Sequence, residues 1–287
     1  MTAVAANPTT RRRRRGRSRG IAFHAILTLV SLLWLSPIVF VVIVSTRTFD
    51  DIALNGLGAL PDTFTWAAYP TAFDSGGVGQ GLKNSIIVTL ATVVVTLALA
   101  SMAAFALSRY RIPFRRTLLL IMLAGNLLPP QILLIPVARI TEALGIYDTL
   151  LAVILVQVGF GLGFYTFVLH GFMRSLPKEV FEAALLDRCG PVQTYWRIVL
   201  PLTRPSLAAL AALATTWVFN DLLWALTTLR SEAKFPITAA LLNLQGAYAS
   251  SWNLLAAASL MAAVVPAIVF FAFQKQFVSG LLVGTNK

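Results

Sequence analysis

Apolar residues along this chain gather in long unbroken runs instead of alternating with polar ones, a pattern of helices rather than of half-buried strands. Six runs reach the length a membrane-crossing helix needs: Ile21–Val44, Ile86–Leu107, Thr117–Val137, Thr149–Phe172, Ser206–Leu229 and Trp252–Phe273. Each corresponds to about 32–36 Å of helix at about 1.5 Å per residue, enough to cross a hydrocarbon core of about 30 Å with modest tilt. Pro37, Pro129, Pro130 and Pro266 fall inside these runs. Lipid-embedded helices tolerate proline when neighbours satisfy the freed carbonyls. The expected fold is an all-α membrane protein of six transmembrane helices.

Charge between the runs sets the orientation, because Lys and Arg accumulate on the cytoplasmic side. With the N-terminus inside, Arg11–Arg15, Arg17 and Arg19 lie in the cytoplasm, as do Arg109, Arg111, Arg115 and Arg116. Arg174, Lys178, Arg188, Arg197, Arg204, Lys275 and Lys287 join them, while only Arg47, Lys83, Arg139, Arg230 and Lys234 face outward. This bias predicts an N-in, C-in chain: a basic cytoplasmic tail at 1–20, a membrane domain at 21–273 and a second cytoplasmic tail at 274–287. The arginine run also invites a nucleic-acid or anionic-lipid reading, but a basic cap before the first span already accounts for it. A secretory signal fits poorly: the following apolar run is too long, and Val44-Ser-Thr-Arg47 is no small-residue cleavage site.

Composition agrees. Hydrophobic residues make up 57% of the 287 and charged residues only 12%, where soluble domains carry about 25% charged. One cysteine, Cys189, excludes a disulfide framework, and two histidines, His24 and His170, leave no set of metal ligands. No G-x-x-x-x-G-K-[ST] occurs, so the chain has no loop to cradle ATP phosphates. Gly159-Phe-Gly-Leu-Gly163 lies within an apolar run, where small residues serve close helix packing.

The 33-residue segment Met173–Pro205 is too polar to enter lipid. Ser175 and Pro177 signal a helix start, Val180–Leu186 has an apolar face, Gly190-Pro191 breaks it, and a second short piece, Val192–Leu200, ends at Pro201. Two short helices about a turn make a docking surface at the inner membrane face, or an amphipathic hairpin resting on headgroups.

Glu182-Ala183-Ala184, Asp187, Gly190-Pro191 and Ile198-Val-Leu-Pro201, in this order between the fourth and fifth of six spans, resemble the EAA loop of ABC-importer permeases. The subgroup resembled is the carbohydrate type related to the maltose system. Asn84-Ser85, Ala104-Phe-Ala-Leu-Ser-Arg109, Pro130-Gln131 with Ile135-Pro136, Trp217–Trp224 and Gln274–Gly280 also fall where that family has similar segments. The resemblance implies one half of a permease pair in the bacterial inner membrane, with no covalent chemistry and no cofactor of its own. It implies as partners a second permease subunit, two cytoplasmic ATPase subunits that bind ATP, and an extracytoplasmic solute-binding protein delivering a sugar or polyol. It further implies that Glu182 pairs with a basic group of the ATPase, Ala183 and Ala184 allow close approach, and Asp187 braces the turn. The family usually has glycine where this chain has Arg188. Either the turn is centred instead on Gly190, or the partner surface is matched to the arginine.

One acid, Asp221, lies within a span, and such groups usually face a bundle interior or cavity. On a continuous helix Trp217, Asn220, Asp221, Trp224 and Thr228 share one face. Aromatic rings beside amide and carboxylate acceptors suit a sugar, and Asn126, Gln131, Gln157 and Asn253 are further candidates for that lining. Asp221 equally suits bracing of an interface, and Trp224 an anchor at the outer headgroups. The rival reading, an ion-coupled secondary transporter working through Asp221, lacks a second intramembrane acid and an evident inverted repeat.

Overall fold

The computed structural model describes residues 9–282 except Ser75, Leu127 and 248–250, with side chains described from Phe23 to Gln274 apart from those positions and Ala247. The Arg11–Arg15 run, Lys275 and Lys287 lie outside the described side chains. Every element among the described residues is helical. Five helices are long and apolar enough to cross a membrane: Phe23–Ser45, Val78–Arg109, Leu150–Ser175, Pro191–Phe219 and Trp252–Gln274. The first, α1 (Thr9–Ser45), is followed by two short helices, α2 (Phe49–Asn55) and α3 (Ala68–Asp74), and then by α4 (Val78–Arg109).

The third apolar run is not one helix. It forms α5 (Arg115–Ala124), a 3-10 turn at Pro130–Leu133 and α6 (Leu134–Ala143). Hydropathy passes smoothly through Thr117–Val137, but Pro129 and Pro130 bring no N–H and hold the backbone extended before the turn. Each half is 10 residues, about 15 Å, too short to cross alone.

α7 (Leu150–Ser175) begins where the Thr149 hydroxyl caps the N–H of Ala152 and ends before Pro177. It packs along α4 over the largest core: Val93, Leu97, Ala100 and Ala104 of one against Tyr165, Leu169 and Met173 of the other. Gly163 is the most tightly packed glycine of the Gly159–Gly163 run, because a Cβ there would collide with the Met122 carbonyl oxygen of α5.

α8 (Lys178–Leu186) and α9 (Pro191–Thr194) form the hairpin. The second arm does not end at Pro201: α9 runs through a π-turn, Tyr195–Val199, into α10 (Leu200–Phe219). The widened turn, with Leu200 N–H reaching the Tyr195 carbonyl, makes room for a Pro201 that has no N–H to give. The fifth run then breaks at residues 220–222 and resumes as α11 (Leu223–Thr228). α12 (Ile237–Ala247) and α13 (Trp252–Leu282) complete the chain; α13 packs on α10, α1 and α3.

At the end of the bundle where α4 begins, charge is buried. Arg47 is fully enclosed and holds Asp51 at 2.8 Å, with further bonds to the Gly56 and Leu57 carbonyls at 2.8 and 3.2 Å. Bonds from Arg47 and Asn55 hold the Asp51 carboxyl down at about 2. Asp148, in the left-handed region at φ 57°, accepts from the Arg230 and Ser231 N–H groups at 2.9 Å, from the Ser231 hydroxyl at 2.5 Å and from Lys234 at 2.9 Å. These bonds, led by that hydroxyl, press its carboxyl well below the usual range. The Asn84 amide donates to the Ala233 and Phe235 carbonyls at 3.0 Å each, and Ser85 accepts from Ile237 N–H at 2.8 Å. The Asn84-Ser85 pair thus ties α4 to the loop before α12.

Candidate functional site: a cavity at two helix breaks and an exposed hairpin

The break after α5 and the break after α10 meet at one cavity of about 190 Å³. Asn126 comes from the first break, Asp221 from the second, and Thr92, Thr96, Gln157, Phe160, Phe164, Trp217 and Trp224 complete most of the wall. Non-helical backbone at membrane depth needs such a setting, because its freed polar groups must find partners or water.

Asp221 is engaged locally. Its carboxylate accepts from the N–H groups of Trp224 at 3.5 Å and Ala225 at 3.3 Å, capping α11, and from the Gln157 amide at 3.3 Å. Its carbonyl accepts from the Thr238 hydroxyl at 2.5 Å. The hydroxyls of Thr92 and Thr96 are buried here without a protein partner among the described residues. Trp224 is buried and stacks on Phe160 with ring centroids 4.6 Å apart, so it is not a headgroup anchor. Trp217 is 57% exposed and leans on Phe164 at 5.5 Å.

The single face expected from Trp217 to Thr228 therefore holds only in part. Trp217, Asp221 and Trp224 reach the cavity; Asn220 does not, because the helix ends beside it and its amide turns back to the Thr216 carbonyl at 2.8 Å. Thr228 is buried on the Trp224 carbonyl at 2.8 Å. Asn253 lies on α13, donating to the Arg47 carbonyl at 3.1 Å, away from this wall. Gln131 is exposed in the 3-10 turn, while Gln157 and Asn126 do join the lining. Phe160 and the two threonines were missed; a Thr92/Thr96 pair four residues apart on one helix was the available signal.

The hairpin is the opposite kind of surface. Glu182, Ala183, Asp187 and Gly190 are exposed and Ala184 is buried. Leu185, Leu186, Val192 and Trp196 are 73, 85, 71 and 57% exposed, an apolar display flanking the acid. Ser175 closes α7 through the Phe172 carbonyl at 2.7 Å rather than starting α8, which begins after Pro177. The turn is centred on Arg188, not Gly190: Arg188 has φ 53° while Gly190 is extended. Arg188 N–H bonds the Leu185 carbonyl at 3.0 Å and Cys189 N–H the Ala184 carbonyl at 2.9 Å, a Schellman cap whose left-handed position usually holds glycine. Arg109 reaches this hairpin from the end of α4, its Cζ 3.5 Å from the Phe181 ring centroid.

A helical body with long apolar helices, two helix breaks meeting at a cavity and an exposed hairpin suits a membrane transport component. The model of the binding-protein-dependent transport system inner membrane component family matches residues 96–282, and the chain belongs to that family. It is 32% identical to the probable ABC transporter permease protein PH1036 of Pyrococcus horikoshii over 88% of this chain and 92% of that one. It is 30% identical to the diacetylchitobiose uptake system permease protein NgcG of Streptomyces coelicolor, covering 91% of this chain and 87% of that one. The fold matches a chain of a bacterial ABC transporter involved in import of the acidic polysaccharide alginate, with TM-score 0.76 at 23% identity over 96% of this chain and 99% of that one. The chain is thus an inner-membrane transport component rather than an enzyme.

Proposed function

We propose that the chain is one of two permease subunits in an ATP-driven importer of a sugar or polyol. It crosses the membrane six times, N-in and C-in, with α5 and α6 together making the third crossing and α10 with α11 the fifth. The charge bias along the sequence supports that orientation, with the basic segments at 1–20 and 274–287 as cytoplasmic tails. Glu182, Ala183, Ala184, Asp187 and Gly190 form the surface that docks on a cytoplasmic ATPase subunit, with Pro201 beginning the helix that carries its motion inward. ATP, bound on that partner and not on this chain, shifts the pair between outward- and inward-open states. An extracytoplasmic binding protein delivers the solute.

The observation that carries the reading is the convergence of both helix breaks on one polar, aromatic-walled cavity. Trp217, Asp221 and Trp224 contribute to the path there; Asn220 and Asn253 act outside its wall as structural ties. The diacetylchitobiose substrate in the name of one relative supports a saccharide. An ion-coupled mechanism through Asp221 is disfavoured by the carboxylate's role in capping α11. Purification of the tagged chain from its native membrane in mild detergent tests the reading. Co-purification of a P-loop ATPase and a second permease is expected; a chain that purifies alone and transports without ATP overturns it.

A further inference from the structure

The hairpin is moored to the helical body by few side chains. Of the nine residues of α8 only Ala184 is buried. Leu176 and Pro177, both extended, are its whole covalent link to α7. Arg109, the last residue of α4, spans that gap. Its guanidinium sits over the Phe181 ring of α8 at 3.5 Å, and the same group donates through Nη2 to the carbonyl of Met173 and, at 3.3 Å, to that of Leu176. α4, α7 and α8 therefore converge on one planar cation. On the other arm, the Tyr195 hydroxyl is 2.7 Å from the Ser101 hydroxyl of α4, so both arms of the hairpin are pinned to the same helix.

α4 is not adjacent to the hairpin in sequence, yet it carries Thr92 and Thr96 into the cavity at the helix breaks. A push on α8 that is not held at Phe181 is taken up by swivelling of the two-residue link on one side and passed along the continuous second arm into α10 on the other, without reaching α4 through this contact. Lysine is no substitute, because a point ammonium lacks the flat face and forked donors of the guanidinium. We infer that Arg109 is a positioning residue for energy coupling, turning displacement of α8 into displacement of α4 and so of the cavity wall. This rests on the reading of the chain as an ATP-driven permease subunit.

The test uses the complete importer in inside-out vesicles, with Thr92→Cys in a Cys189→Ser chain and a water-soluble maleimide as probe. Trapping the ATPase with ATP and vanadate is expected to change the labelling rate at position 92 severalfold when Arg109 is present. Arg109→Lys and Phe181→Leu, made separately, are expected to erase that change while the ATPase still co-purifies and still hydrolyses ATP. A labelling response that survives in both variants overturns the inference. So does an unmodified importer that shows no response, since no movement then reaches α4. Loss of ATPase from both variants also overturns it, because the contact then holds the assembly together instead of transmitting through it. Failure of the underlying reading looks different: no ATPase accompanies the unmodified chain at all.

Discussion

The two ends of α4 handle charge in opposite ways. At its start, one ion pair is enclosed: Arg47 is buried on Asp51, and Asn84 and Ser85 tie the helix to the 233–237 segment. At its finish, charge is displayed: Glu182, Asp187 and Arg188 face solvent on a hairpin with little buried surface of its own. Burial with complete hydrogen bonding fixes geometry, while exposure leaves groups free for a partner. One end is a clamp and the other a handle, so damage to each should register in a different assay.

The largest expected effect is at the clamp. Arg47→Ala strands Asp51 as an enclosed, unpaired carboxylate, and removing one member of such a pair is far costlier than removing both. Most of the folded protein should be lost from membranes, measured by fluorescence-detected size exclusion, with Arg47→Ala/Asp51→Ala recovering part of it. Recovery no better than the single variant would show that the pair is not a unit.

Next in size is Glu182→Ala on the handle. Exposed substitutions move stability by within about 0.5 kcal/mol, so thermal unfolding should be unchanged while ATP-driven uptake falls to background. Normal uptake would remove Glu182 from the docking surface.

Acid should weaken the clamp. Asp51 and Asp148 have lowered folded-state pKa values, so their stabilisation is fully present above the ordinary carboxylate range near about 3.9. It is lost as pH falls through the folded value, about 2 for Asp51. Tm should therefore drop between about pH 5 and 2, less steeply in Asp148→Asn. An equal acid slope in that variant would mean the 148–234 clasp contributes little.

The smallest effect is Arg188→Gly. Relief of a left-handed side-chain backbone, less the extra entropy of glycine, should raise stability by about 0.5–1 kcal/mol. A loss would show that the arginine side chain itself holds the turn.

The all-helical body was legible from the runs of apolar residues, and four of the six runs are each carried by one long helix. The breaks within the third and fifth runs were not legible, because hydropathy averages over a break: Pro129-Pro130 sits among leucines and isoleucines, and residues 220–222 are flanked by Phe219 and Leu223. That averaging also misplaced Asn220, whose position on a shared face assumed a helix that ends beside it. The hairpin was legible from Pro177 and Gly190-Pro191 at its joints. Its turn was not, since no residue preference predicts an arginine at φ 53°. The Arg47–Asp51 pair, of which the sequence marked only Arg47 as an outward-facing cation, carried one local sign: Thr48 three residues before Asp51, whose N–H it caps.

The clamp also has a history within each molecule's synthesis. Arg47 and Asp51 are four residues apart and can meet as soon as they leave the translocation machinery. The ties that finish the clamp come much later: Asn84 waits 149 residues for Ala233, and Asn253 follows Arg47 by 206. At about 5–20 residues per second, the second interval is roughly 10–40 s. For that time the first helices sit in the bilayer half-assembled, with the cation already neutralised by its neighbour but unsecured. An ion pair closed within four residues thus needs no later helix to neutralise its guanidinium, whereas the bonds from Asn84 and Asn253 need segments made long afterwards.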